Sequence, residues 1–207
     1  MKHLTEQNRD NIDRAKAIFR QHGGTLQTMK SIRLGIHPRT LYTMRDAGVL
    51  TQLGRGLYRL AEEPPLANPD LVSVALKVPQ GVICLVSALS FHELTSQIPH
   101  EVYVALQRGA AAPRIQHPPV RIFWFSGSAF SEGIETHLVD GVSVRVYSPE
   151  KTLADCFKYR NKIGLDVAVE ALRLYVQRKR TRIDEIIRFA RICRVERVMR
   201  PYLEAML

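Results

Sequence analysis

The sequence lacks any long apolar run. The longest nearly uncharged stretch, residues 79–91, is too short to span a bilayer and is interrupted by Gly81, Ser87 and Ser90. The N-terminal Met-Lys-His-Leu-Thr-Glu-Gln has a carboxylate and no apolar core, so it does not resemble a signal peptide. We therefore expect a cytoplasmic protein without a membrane segment.

Cysteine is also scarce. Cys84, Cys156 and Cys193 lie far apart, without the close, repeated spacings of disulfide scaffolds or zinc clusters. We expect a reduced compartment, in which these cysteines act as small core residues.

Patterns typical of catalytic sites are missing as well. Glu150-Lys151 follows Asp140, but a restriction-type nuclease needs one residue between the Glu and the Lys, on a strand rather than at a helix start. His92-Glu93 lacks the second histidine of a zinc helix, and no glycine-rich phosphate loop precedes a lysine. The sequence thus gives no reason to expect an enzyme, a metal or a cofactor.

Positive charge is abundant and unevenly distributed. The 207 residues carry a formal charge of +10. Residues 1–60 hold 11 Lys and Arg against 4 Asp and Glu, and residues 173–200 hold 10 against 3. Two basic blocks, one near each end of the chain, favour a polyanionic partner.

The first block has the element order of a winged helix-turn-helix over residues 6–60. A helix is predicted over 8–21, with Ile12, Ala15, Ile18 and Phe19 on one face, and the Gly23-Gly24 pair ends it. Residues 25–28 are expected to form a short extended link. Thr28 is predicted to cap a second short helix that ends near Leu34.

A third helix is predicted over residues 38–47, with Pro38 at its first position. Leu41 and Met44 then share one side, while Arg39, Tyr42 and Thr43 share the other. Two short strands, 49–53 and 57–60, flank Gly54-Arg55-Gly56, which predicts a tight hairpin with a cation at its tip.

This layout predicts contacts to duplex DNA. The third helix is expected to enter the major groove with its N-terminus near the bases, and Arg55 suits the minor groove or a phosphate beside it. Lys30 and Arg33 on the second helix suit the phosphate backbone. The predicted DNA-binding residues are Lys30, Arg33, His37, Arg39, Thr40, Tyr42, Thr43, Arg55 and Arg59.

Residues 61–69, with three prolines, mark the clearest break in composition. We predict a winged-helix domain over 1–61, a semi-rigid linker over 62–70 and an α+β domain over 71–207, with strands first and helices last. In that domain Ser87 is predicted to cap a helix that ends near Leu94. Asp140-Gly141 predicts a two-residue hairpin turn, and Ser148-Pro149 predicts a capped helix start.

The second basic block allows two interpretations. Its arginines are either solvated on exposed helix faces or contact a partner, which could be DNA phosphate or an acidic protein. The residues concerned are Arg173, Arg180, Arg188, Arg191 and Arg194.

Three stretches bring a family resemblance. They are Leu-Gly-Arg-Gly-Leu-Tyr-Arg-Leu at 53–60, Ser-Ala-Leu-Ser-Phe-His-Glu-Leu-Thr-Ser-Gln-Ile-Pro at 87–99, and the segment 147–164 that begins Tyr-Ser-Pro-Glu-Lys-Thr-Leu-Ala-Asp-Cys-Phe. Together they resemble the AbiEi antitoxins of type IV toxin–antitoxin systems, and the third stretch is the most specific of them.

The resemblance implies a transcriptional autorepressor that binds inverted repeats in its own promoter, often cooperatively. It also implies that the C-terminal domain counters a nucleotidyltransferase-like toxin, with no direct contact required. Two other functions stay open at this point: a nucleic-acid-processing enzyme that the winged helix targets, and a protein-docking adaptor.

Overall fold

The computed structural model describes residues 6–54 and 56–207, which form two compact units. The first unit comprises the chain up to Ser73 together with Leu138–Ser143, and the second comprises Val74–His137 and Val144–Leu207. Both contain helices and a sheet, so the predicted α+β class is confirmed. No helix among the described residues is long and apolar enough to cross a membrane.

The first unit has the winged-helix order of elements. Its sheet has the strand order β1-β3-β2, and both pairings are antiparallel. The elements are α1 (Glu6–Gln21), β1 (Thr25–Gln27), α2 (Thr28–Arg33), α3 (Pro38–Asp46), β2 (Leu50–Gly54) and β3 (Leu57–Leu60).

Its core is made by the apolar face predicted for α1. Ile12, Ala15 and Phe19 are buried there against Leu41 and Met44 of α3. Gly23 and Gly24 both have a φ of +74° and end α1, and the Gly24 N–H donates to the Phe19 carbonyl at 2.8 Å. Because Leu41 and Met44 pack against the apolar face of α1, the opposite face of α3 is left at the surface.

Two local predictions in this unit are wrong. Residues 25–27 are a strand rather than a link, because Thr25 to Gln27 pair with Arg59 to Leu57 of β3. Thr28 does not cap α2: the N-cap is Gln27, and the Thr28 hydroxyl donates instead to the Gly56 carbonyl at 3.2 Å. Both features depend on contacts with β3 or the turn before it, which lie about 30 residues further along the chain. The local sequence pattern around residues 25–28 does not reveal these contacts.

The proline-rich stretch after β3 is held to the first unit. Glu62 accepts hydrogen bonds from Arg20 at 2.6 and 3.1 Å, and the Pro64 carbonyl accepts one from Arg59. The N–H groups of Ala67 and Asn68 donate to the Asp140 carboxylate at 3.3 and 3.2 Å. This stretch therefore has fixed contacts in the structure, and the next helix begins at Pro69.

The remaining elements form a five-stranded sheet and its helices. They are α4 (Pro69–Lys77), β4 (Val82–Ile83), α5 (Leu85–Phe91), β5 (Val102–Gln107), β6 (Val120–Phe125), α6 (Ser128–Ser131), β7 (Ile134–Val139), β8 (Val142–Tyr147), α7 (Pro149–Lys158), α8 (Arg160–Ile163), α9 (Leu165–Val176), α10 (Ile183–Ile192) and α11 (Glu196–Glu204).

The sheet has the order β6-β5-β4-β8-β7, with parallel pairs β5/β6 and β4/β8 and an antiparallel pair β4/β5. The predicted turn between β7 and β8 is present, since Asp140 and Gly141 have φ values of +49° and +80°, as a type I′ turn requires. Helices α4 and α5 lie between strands in the chain, so strands do not simply precede helices.

Helix α7 is buried along nearly its whole length. Ser148 caps it as predicted, accepting from the Lys151 N–H at 3.3 Å. Lys151 and Asp155 are both fully buried, and their side chains pair at 2.5 Å. The Lys151 ammonium lies 4.2 Å from the centre of the Tyr147 ring, and the Cys193 thiol donates to Asp155 at 3.2 Å.

Burial and the Asp155 charge raise the pKa of Cys193 to about 12, so its thiol keeps the proton that it donates. All three cysteines are free and buried, which confirms their predicted role in the core.

The prediction that Ser87 caps a helix is wrong. Helix α5 begins at Leu85 after Cys84, and Ser87 lies inside it. Its hydroxyl accepts from the Tyr103 N–H at 3.0 Å and lies 3.4 Å from the Glu101 carbonyl. Ser87 therefore joins α5 to the start of β5.

The pair in α7 predicts a large asymmetry between single and double substitutions. We expect Lys151→Met to lower the free energy of unfolding by about 3–5 kcal/mol, because the Asp155 charge stays buried without its partner. The double variant Lys151→Met, Asp155→Leu should lose much less. Denaturant unfolding followed through Trp124, the single tryptophan, measures both. A double variant less stable than Lys151→Met would contradict this.

A second prediction concerns acid stability. Burial raises the pKa of Glu150, but hydrogen bonds from Tyr175 and Arg182 outweigh it and hold the pKa below its ordinary 4.5. Glu150 therefore stabilises the fold above its unfolded-state pKa, and this contribution is lost as pH falls through the lower folded-state pKa. Glu150→Gln should flatten the loss of thermal stability below about pH 4.5. Glu204→Gln, at an exposed site, is the control.

Candidate nucleic-acid interface

The turn between α2 and α3 supplies the cap of α3. His37 is extended, with φ −66° and ψ 138°, and its Nδ1 accepts from the Arg39 N–H at 3.1 Å. Pro38 follows at the first helical position, where no N–H is needed. His37 is exposed, so the residue that fixes the start of α3 also lies at the surface beside it.

The outer face of α3 is the one predicted. Arg39 is exposed, Tyr42 is 46% exposed, and Thr40 and Thr43 are half-buried, while Leu41 and Met44 point into the core. The Thr43 hydroxyl donates to the Arg39 carbonyl at 2.9 Å, so its proton is engaged within the helix. The Arg39 guanidinium makes no hydrogen bond or ion pair with a described residue, so its donors are available to a partner.

Two further residues on α3 were not predicted. Arg45 donates to Asp46 at 2.9 Å and lies over the Tyr42 ring at 5.2 Å. The hydrogen bond to Asp46, and then its charge, raise the pKa of Arg45. The Asp46 carboxylate thus partly neutralises the charge of Arg45, whereas Arg39 on the same helix keeps its full charge.

A polar groove runs between α1 and the start of α3. Asn8 and Asn11 line it on the α1 side, opposite His37, Arg39 and Thr43. An adjoining hollow includes Arg14. The sequence signal was present, because residues 8, 11 and 14 recur at helical spacing beside the buried stripe of α1. The polar row formed by residues 8, 11 and 14 is not among the DNA-binding residues predicted from the sequence.

Helix α2 places Lys30 and Arg33 at the surface in its last turn. Ser31 between them is buried, and its hydroxyl donates to the Gln27 carbonyl at 2.9 Å, which anchors the helix. Neither cation has an ion-pair partner among the described residues, so both remain free for phosphate contacts.

The wing is formed by β2 and β3. Gly54 pairs with Leu57, and Gly56 has a φ of +71°. The Thr28 N–H donates to the Gly56 carbonyl at 2.8 Å, which ties the turn end of the wing to the start of α2. Arg55, predicted at the tip, lies outside the described residues.

Arg59 does not belong to this surface. It is buried, and it donates to the Thr25 hydroxyl at 2.8 Å and to the Pro64 carbonyl at 2.7 Å. Its place in the middle of β3 turns the side chain toward β1. We therefore remove Arg59 from the set of DNA contacts.

The second basic block is partly neutralised by its own unit. Arg188 pairs with Glu132 and Glu185, and Arg191 pairs with Glu196. Arg188 and Arg191 are therefore engaged within the chain, and the interpretation that they contact an external partner loses its support. The other three, Arg173, Arg180 and Arg194, are exposed and have no ion-pair partner among the described residues.

Asp140 and Glu150, which were considered above as candidate catalytic carboxylates, are both engaged in hydrogen bonds that hold the fold together. The Asp140 carboxylate accepts two backbone N–H groups, and Glu150 is held by Tyr175 and by Arg182 at 2.9 Å. Within residues 6–54 and 56–207, no three His, Cys, Asp or Glu side chains are placed to hold a metal ion.

Residues 13–61 match the model of a family described as the transcriptional regulator AbiEi antitoxin. The matched segment runs from within α1 to the residue after the wing. The predicted resemblance to AbiEi antitoxins is therefore confirmed over residues 13–61.

A crystal structure of the RV2827C protein from Mycobacterium tuberculosis resembles the chain with a TM-score of 0.54. The likeness covers 98% of this chain and 83% of that one at 12% sequence identity, and it concerns the fold alone. No curated protein sequence matches the chain.

Proposed function

We propose that this protein is a DNA-binding antitoxin that represses its own type IV toxin–antitoxin operon. The observation that carries the proposal is the outer face of α3, where Arg39 and Tyr42 are exposed. Lys30 and Arg33 on α2 are exposed as well, and neither has an ion-pair partner within the part of the chain that the structure describes. The AbiEi match over residues 13–61 covers this same surface.

In this proposal α3 enters the major groove of promoter DNA. Arg39 lies in its first turn, where side chains of a recognition helix reach base edges, and a guanidinium can donate two hydrogen bonds to guanine. Thr40, Tyr42 and Thr43 extend the contact along the groove. His37 takes part chiefly by fixing the first turn of α3, because its Nδ1 is already engaged with the Arg39 N–H.

Phosphate contacts would flank the base contacts. Lys30 and Arg33 project from α2, and Asn8 and Asn11 line the groove beside α3. Arg55 is predicted from the sequence to add a further contact at the wing tip. Amides and guanidinium groups are common phosphate ligands. The same groups fix the register of the protein on the duplex without reading sequence.

The antitoxin activity is assigned to the α+β part of the chain, which counters a nucleotidyltransferase-like toxin with no direct contact required. The resemblance in residues 87–99 and 147–164 supports this assignment. A nucleic-acid enzyme receives no support from a specific group of residues, and a docking adaptor does not explain the free recognition face of α3.

Arg39→Ala should weaken binding to the promoter upstream of the gene and relax sequence preference, by about 1–3 kcal/mol at one base position. Lys30→Ala should weaken binding to all sequences alike and reduce the salt dependence by the equivalent of about one phosphate contact. Mobility-shift titrations at several salt concentrations, on the promoter and on a scrambled duplex, measure both.

Arg20→Ala is the matched control. It removes the same charge from the same unit, but Arg20 is paired with Glu62. Its promoter affinity should stay close to that of the unaltered chain. Absence of any shift at low salt would overturn the proposal, as would equal losses for Arg39→Ala and Arg20→Ala.

The two activities should separate in cells. Expressed from an unrelated promoter, Arg39→Ala should still rescue growth from the toxin encoded beside the gene, while repression of a promoter–reporter fusion is lost. Failure of the unaltered chain to rescue growth contradicts the antitoxin role.

A further inference from the structure

Strand β6 has one open edge. It is the last strand of the order β6-β5-β4-β8-β7, and its one partner among the described strands is β5. The Val102 N–H donates to Pro119 at 2.8 Å and the Arg108 N–H to Phe125 at 2.6 Å. Since successive residues of a strand point their N–H and C=O groups to opposite sides, those of Val120, Ile122 and Trp124 point away from β5.

These outward groups have no partner in the structure. Among the described residues, the backbone N–H and C=O groups of Val120, Ile122 and Trp124 make no hydrogen bond to backbone or side chain. The strand has no bulge in its register with β5, and no charged or proline residue stands at an outward position. Proteins usually protect a free edge with one of these devices.

The chain around β6 limits what can bind. The Trp124 indole N–H donates to the Ala110 carbonyl at 3.2 Å, so the segment between β5 and β6 contacts the face of the strand. Pro118 precedes the strand and has no N–H, so an added strand gains no donor there. The open ladder therefore runs from Val120 to Trp124.

We propose that this edge pairs with the same edge of a second copy of the chain. In an antiparallel pair with its two-fold axis at Ile122, Ile122 faces Ile122 of the second copy, and Val120 faces Trp124. Each N–H of these residues then meets a C=O, and the side chains of these three facing pairs are all apolar, while Arg121 faces Phe123 at the positions between them. The strand is thus complementary to itself in length, hydrogen bonding and side chains.

Charge does not oppose this pairing at the edge itself. The chain carries +10, so most pairs of its surfaces would bring cations together. On β6 the single cation is Arg121, which pairs with Glu101 at 3.5 Å and lies over the Tyr103 ring, away from the outward positions. No cation directly faces another cation in this pairing, because each Arg121 faces Phe123 of the second copy and is paired with its own Glu101.

One strand pair is small beside an interface of standard size, so the dimer should be weak and dependent on concentration. A two-fold dimer would carry two winged helices, which suits inverted repeats. The dimer itself does not depend on DNA binding, and it can be tested without DNA.

Sedimentation velocity of the full chain over a concentration series tests the pairing. Ile122→Lys and Ile122→Glu each place like charges face to face at the two-fold axis, and each should weaken self-association by at least about ten-fold. An equimolar mixture of the two should associate again, because Lys then faces Glu. Misfolded variants would not produce that recovery. Leu138→Lys, at a 76% exposed position on β7, is the control and should behave like the unaltered chain.

A cysteine variant that preserves side-chain size gives a second measurement. Facing residues of a hydrogen-bonded antiparallel pair have Cα atoms about 5.5 Å apart, which suits a disulfide. Ile122→Cys should form a covalent dimer under mild oxidation, and Leu138→Cys should not. A chain that stays monomeric at every concentration overturns the proposal, as does association unaffected by Ile122→Lys. Pairing of β6 with a strand of another protein instead of its own copy also counts against it.

Discussion

The second unit depends on one constraint, the burial of two opposite charges in α7. Lys151 and Asp155 lie one helical turn apart with almost no solvent contact, so each must satisfy the other. The neighbours complete the arrangement, since the Tyr147 ring faces the ammonium and the Cys193 thiol donates to the carboxylate. Helices α5, α9 and α10 and the sheet must therefore pack around a fixed polar centre, which is one way to specify a unique core.

The sequence predicted those elements whose signals are local. Proline at the start of α3 and α7, Ser148 as a cap and the Asp140-Gly141 turn all lie as expected, because each depends on the backbone of a few neighbouring residues. Predictions failed where a distant strand decides. Thr25–Gln27 is a strand because β3 lies beside it, and Ser87 sits within α5, hydrogen-bonded to the start of β5.

Local signals and distant contacts also differ in what they reveal about the candidate nucleic-acid interface. Helical periodicity separated the core side of α3 from the side that carries Arg39 and Tyr42, but it could not tell which arginines are already engaged. Arg59 and Arg188 count as cations in the sequence, although one is buried against Thr25 and the other binds two glutamates. The net charge of a sequence segment therefore overstates how many of its cations are available to a polyanion. The number that is already engaged depends on side chains that are distant in sequence, which only the structure shows.

The hydrogen bond by which His37 caps α3 also limits how the proposed DNA sequence preference could change by substitution. Because His37 holds the first turn through the Arg39 N–H, a substitution at position 37 alters both the chemistry at the surface and the point at which the helix begins. Positions 39 and 42 can exchange side chains without moving the backbone that carries them. If α3 reads DNA bases as proposed, sequence preference should change more readily through positions 39 and 42 than through His37, because a substitution of His37 would also affect where the helix begins.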